Sequence, residues 1–160
     1  GRAYSLKYVY SYDKLNTGKI NIYLANIYVG TPTFRHGVGE NNFIQSNLPL
    51  GWTNGSDGEE FSFGINYLYD KILFELELST TKLGSETLLN RPYDRYFDYS
   101  ENNFPSGKVK HVTSIKTDTE WWWRPNISIS FAAEYKKNRE HEKEKMDFRI
   151  KINAFLEKSD

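Results

Sequence analysis

A chain of 160 residues with 21 basic and 21 acidic side chains has no net charge, so it lacks the long-range pull on nucleic acid that a basic protein exerts. Cysteine is absent, which excludes disulfides, thiolate metal sites and cysteine nucleophiles and is compatible with an oxidising compartment. The length fits one domain, residues 1–160, and no apolar run reaches the roughly eighteen residues that a membrane-spanning helix needs.

A strand in lipid needs only alternate residues to be apolar, so a low mean hydropathy is compatible with a spanning sheet and alternation is the discriminating quantity. Aromatic residues, at 16% of the chain, are abundant, as they are where rings sit at a water–lipid boundary. The first strand is predicted over Tyr4 to Tyr12, with Tyr4, Leu6, Tyr8, Tyr10 and Tyr12 on one face and Ser5, Lys7, Val9 and Ser11 on the other. A second runs from Lys19 to Val29; Ile20, Ile22 and Leu24 share a face, then the apolar phase shifts to Ala25, Ile27 and Val29, which predicts a bulge near Leu24 or Ala25.

Glu60 to Tyr69 and Ile72 to Ser79 form the clearest hairpin, with Asp70-Lys71 as a tight turn. Phe61, Phe63, Ile65 and Tyr67 line one face of its first arm, and Ile72, Phe74, Leu76 and Leu78 one face of its second. A fifth strand, Val109 to Trp123, keeps Lys110, Lys116, Asp118 and Glu120 on a single face. After Arg124-Pro125-Asn126 comes Ile127 to Tyr135, since proline suits a turn better than a strand interior. Met146 to Leu156 closes the series, with Phe148, Ile150 and Ile152 opposite Asp147, Arg149 and Lys151.

The connections alternate in length. Asp13 to Gly18, Asp70-Lys71 and Arg124 to Asn126 are short; Gly30 to Glu59 and Thr80 to Lys108 are long and rich in Gly, Asn, Ser, Asp and Pro. The link Lys136 to Lys145 is shorter but densely charged, and Asn138 to Lys145 reads as a solvated loop tip. In an up-and-down sheet this places short turns at one rim and long loops at the other, the arrangement of outer-membrane barrels. The expected fold is therefore all-β: an antiparallel up-and-down transmembrane β-barrel in a Gram-negative outer membrane. About seven strands, an odd number, do not close such a barrel, so this segment is expected to be incomplete on its N-terminal side, the remaining strands coming from the same or another chain.

Trp121-Trp122-Trp123, with Tyr12 and Tyr69 at the same rim, suits an aromatic girdle; in a soluble sandwich the same rings would be core. Lys7, Glu75, Glu77, Lys110, Lys116, Asp118, Glu120, Glu134, Arg149 and Lys151 occupy the polar face, expected to line a lumen with charges of both signs. Glu75 and Glu77 point the same way, the placement a carboxylate pair needs for acid–base work, but no partner motif accompanies them. His36, His111 and His141 are scattered, and Asn54 to Glu60 lacks the spacing of a calcium loop, so no metal, cofactor or catalytic residue is expected.

Leu48-Pro49-Leu50-Gly51-Trp52, then Gly55-Ser56-Asp57-Gly58-Glu59-Glu60 and the hairpin from Phe61 to Leu78, resembles the capsule-assembly (Wzi-type) outer-membrane family over roughly the middle third of the chain. Trp52 departs from that pattern, where a histidine or another polar residue is expected. The resemblance implies a large monomeric, non-enzymatic barrel that helps attach or organise surface polysaccharide. Trp52, Asp57, Tyr93 and Tyr96 are the expected loop contacts to glycan, with outer-membrane lipid and exported polysaccharide as partners. A porin or transport channel, and a soluble β-sandwich or ligand-binding barrel, are the alternative readings.

Overall fold

The structure, a computed structural model, describes residues 1–14, 18–46, 48–95, 103–139 and 143–154. Seven long strands form one antiparallel sheet: β1 (Ala3–Lys14), β2 (Gly18–Val29), β5 (Gly58–Tyr69), β6 (Ile72–Leu83), β7 (Lys110–Arg124), β8 (Ile127–Asn138) and β9 (Lys143–Ala154), in that order across the sheet. A two-stranded sheet of β3 (Ile44–Gln45) and β4 (Leu48–Pro49) and a short 3-10 turn, Gly39–Asn41, lie in the first long loop. The main sheet is up-and-down and open, because β1 and β9 each have a single neighbour. No helix among the described residues is long and apolar enough to cross a membrane.

The strand periodicity expected from the sequence holds, and the ladders run longer than the apolar alternation alone marks. β5 and β6 extend to Gly58 and Leu83, and β7 runs on to Arg124. β8 and β9 continue through the charged stretch to Asn138 and back from Lys143, beyond the expected strand ends at Tyr135 and Met146, so most of the charged stretch lies in the ladder and not in a loop tip. Charges there are accommodated because they pair across the ladder, as Lys137 does with Glu144 at 2.8 Å. Leu156 and His141 fall outside the described residues.

The bulge expected near Leu24 is absent. β2 pairs without interruption with β1 and with β5, so Ile20, Ile22, Leu24, Asn26 and Tyr28 stay on one face and Tyr23, Ala25 and Ile27 on the other. The apolar residues that mimic a phase change lie on the polar face at its loop end, where covering segments bury Val29 to 2% exposure. An irregularity occurs instead between Trp122 and Arg124, against β8, and leaves both Trp121 and Trp123 exposed beside the Pro125-Asn126 turn.

Which face is covered decides the architecture. Rows such as Tyr10-Ile22-Ile65-Leu76-Thr117-Ala133-Phe148 cross the whole sheet on the apolar face, and among the described residues no second layer covers it, the Phe104 ring meeting only Tyr28 at its loop margin. Phe61 is 48% exposed, Phe131 46% and Phe148 65%, so the phenylalanines do not gather in a two-layer core. On the opposite face Ser62, Ser79, Ser114 and Ser128 are buried. Ser79 and Ser114 hydroxyls meet at 2.7 Å. A soluble sheet buries its apolar side and solvates its polar one; here the order is inverted.

Aromatic rings mark both margins of the bare face. Tyr12, the stacked pair Tyr67–Tyr69 and Trp121 lie toward the short turns, and Tyr4 stacks on Tyr28 (centroids 5.2 Å apart) toward the long loops. Beyond Tyr28 the next positions in its row are Glu59 and Lys82, ion-paired at 2.7 Å, so the apolar surface stops there. From Tyr4 to Tyr12 is about 27 Å along an extended strand.

Gly64, alone inside β5, has a specific reason to lack a side chain. The Tyr23 ring lies over it, and a Cβ there would collide with the ring's hydroxyl end. Gly64→Ala is expected to displace that ring and cost about 1–3 kcal/mol in urea unfolding, whereas in a Tyr23→Ala background the same change costs less than about 0.5 kcal/mol.

Candidate functional site

The inward alternation of seven strands gathers the polar residues into a trough. Its cavity, about 930 Å³, is lined by Lys7 of β1 and Tyr23 of β2 as well as Glu75, Asp118, Glu134 and Arg149, so both edge regions border one concave space. Every charged residue expected on the polar face lies on it: the register places Lys7, Glu75, Glu77, Lys110, Lys116, Asp118, Glu120, Glu134, Arg149 and Lys151 together.

A chain of contacts crosses the middle of the trough. Because Gly64 has no side chain, Tyr23 reaches over β5 and donates its hydroxyl to Glu77 Oε2 at 2.7 Å. Lys116 donates to Glu77 Oε1 at 3.1 Å and lies 3.9 Å from Glu134, which Lys136 meets at 3.0 Å. Lys7 sits 3.9 Å from the Tyr23 ring centroid, a cation–π contact. Glu77 is thus committed to Tyr23 and Lys116, while Glu75 lies directly opposite Asp118 on β7. Nearer the short turns, Ser128 donates to Glu120 at 2.7 Å and accepts from Asn153 at 3.2 Å, linking β7, β8 and β9.

The other candidate surface is a cap made by the two long loops. Asp57, at the entry to β5, is 0% exposed and has a left-handed φ of 61°. Its carboxylate accepts from Thr31 Oγ1 (2.8 Å), from Ser106 N (2.9 Å) and Oγ (2.5 Å), and from Glu86 N (3.1 Å). Its carbonyl accepts from Gly84 N at 2.7 Å, and Gly84 must lack a Cβ because the carboxylate occupies that space. Ser56, also fully buried, accepts from Leu88 N at 3.2 Å. The expected glycan contact Asp57 is therefore corrected: its carboxylate is spent on tying loop 30–57 to loop 84–109, since a buried anion is tolerated only when it is hydrogen-bonded.

Arg35 and Asn42 complete the cap. Arg35 donates to the carbonyls of Arg91 (2.8 Å) and Glu86 (2.6 Å), and Asn42 Nδ2 to that of Pro92 (2.6 Å). These bonds pin the backbone on either side of Tyr93, whose ring is left 63% exposed. Trp52 is half-buried, its ring tip against Gly58 beside Leu83, and so is less open than its loop position suggests. Tyr96 lies outside the described residues. No group of three or more His, Cys, Asp or Glu side chains that could hold a metal occurs among the described residues.

Sequence reading missed Tyr23 and the structural role of Asp57. An isolated glycine in a strand was the available sign of the first. The second had a weaker sign, an aspartate flanked by Gly55, Ser56 and Gly58 directly before a strand. No protein-family model, curated protein or solved structure matches the chain.

Asp57→Ala is expected to leave the Ser106, Glu86 and Thr31 donors unsatisfied and to cost about 2–4 kcal/mol. Limited proteolysis should then cut within 84–109 while the strand signal in far-UV circular dichroism persists.

Proposed function

We propose that this chain is part of an outer-membrane β-barrel that binds or organises surface polysaccharide at its long-loop rim, without catalytic turnover. The observation that carries the membrane part is the inversion of the sheet: rows of Tyr, Leu, Ile and Phe are bare while serines on the other face are buried. In water, so large a contiguous apolar surface drives association; against hydrocarbon it is the face that belongs there. The aromatic margins and the charged row beyond Tyr28 support the same placement.

The glycan part is supported by the cap. A ring held exposed on a backbone pinned by Arg35 and Asn42 offers a sugar a stacking surface with little ordering cost. The segment that resembles capsule-assembly proteins, Leu48 to Glu60, contributes Asp57, the residue that ties this cap together. A second reading, a solute channel, is favoured by the size and polarity of the trough. Pairing of Glu77, Lys116, Glu134 and Lys136 with one another argues against selectivity for one ion sign. Conductance across planar bilayers distinguishes that reading.

Adjacent residues on opposite faces test the placement. In phosphatidylcholine vesicles Ile65→Arg, on the apolar face, is expected to cost about 2–4 kcal/mol in urea unfolding followed by tryptophan fluorescence. Asn66→Arg, on the polar face opposite Glu75, should cost less than about 1 kcal/mol. Equal losses, or a chain that stays monodisperse in water without detergent, would refute the membrane placement. For the glycan part, Tyr93→Ala should weaken binding to capsular oligosaccharides on an array by about tenfold or more.

A further inference from the structure

We propose that the free edge of β9 is the docking line for an antiparallel strand with acidic side chains on its inward face and apolar ones on its outward face. The inference rests on the membrane reading for its outward half and on charge pairing within the sheet for its inward half. β9 presents a ladder over Lys143–Ala154 with one side paired to β8 and the other open among the described residues. In hydrocarbon, open backbone amides and carbonyls are each costly, so such an edge must be filled.

The chemistry of the filler follows from what β9 lacks. Arg149 and Lys151 face the trough and have no hydrogen-bonding or ionic partner among the described residues, whereas Lys145 on the same strand is paired with Asp147 at 2.8 Å. Their neighbours on β8 are Ala132 and Ser130, which offer no carboxylate. The carboxylates that share this face, Asp147 on β9 and Asp118 and Glu120 one strand beyond β8, bond to neither cation, so the open side is where a further anion would meet them. On the outward face Phe148, Ile150 and Ile152 are 65%, 72% and 70% exposed, against 46% for Phe131 on the doubly flanked β8. That difference is the area a neighbouring apolar strand would cover.

Direct use of β1, or of a second copy, is disfavoured by direction. In a seven-stranded antiparallel sheet the first and last strands point the same way, so β1 against β9 is a parallel pairing, within one chain or between copies sharing a membrane orientation. The central inward charge of β1 is a further cation, Lys7. Two β9 edges can pair antiparallel only by inverting one copy, which brings Arg149 and Lys151 toward their own duplicates.

Because the chain has no cysteine, one introduced thiol reports the docking cleanly. Full-length Ile150→Cys in zwitterionic detergent is mixed with two twelve-residue peptides, each with Leu and Val outward and one outward Cys, differing only in Glu or Lys at the inward positions. The Glu peptide is expected to form the mixed disulfide about tenfold more than the Lys peptide, and Arg149→Glu with Lys151→Glu should reverse the preference. Equal cross-linking of both peptides, cross-linking of neither, or a dominant Ile150→Cys homodimer would overturn the proposal. Should the double charge variant fail to fold, as read by circular dichroism, the preference of the Ile150→Cys chain alone decides. Vesicle insertion is scored separately, so an acidic preference in a chain that does not insert would refute the membrane reading and leave the charge pairing standing.

Discussion

A single sheet has two faces, and the period of two in a strand commits each residue to one of them. In this protein the apolar commitment falls on the face that no second layer covers among the described residues, while the face carrying charges, serines and Gly64 is the concave one. The membrane placement proposed above sets a further constraint, that this surface meet something less polar than water. Strand length, aromatic margins and the abrupt change to charge at Glu59 and Lys82 all conform to that constraint.

The concave face meets a second requirement, that polar groups removed from bulk water find partners. Small side chains satisfy it locally, as Ser79 and Ser114 do. Larger ones satisfy it across strands, and the Tyr23–Glu77–Lys116 contacts depend on the emptiness of Gly64 between them. Individually these exposed or half-buried pairs contribute little, of the order of 0–1 kcal/mol each. Their value is in fixing register, because a slip of one residue would turn every charge toward the apolar side.

The long loops obey the same logic around a different centre. Loops of this length stay ordered only if their backbone groups are satisfied, and here one buried carboxylate serves donors from three segments. Arg35 and Asn42 extend that order to the backbone around Tyr93. The result is a rigid cap, continuous with β5 through Asp57, that holds an aromatic ring in solvent.

Alternation in the sequence determined the strands, their antiparallel order, the two-residue turn at Asp70-Lys71 and the shared face of the ten charged residues named for the trough, because side-chain direction in a strand is a local property. It misjudged β2, where the ladder runs unbroken through Ala25, Ile27 and Val29 and the last of these is buried at the loop end of the polar face. It also misjudged Asp57, since a carboxylate at a loop end looks solvated until Thr31, Glu86 and Ser106, far away in the chain, are brought to it. Whether the greasy face is covered or bare cannot be read from alternation, which is the same for a soluble sandwich and a spanning sheet. Only the tertiary arrangement, in which one sheet forms and no second layer packs on its apolar side among the described residues, decided that.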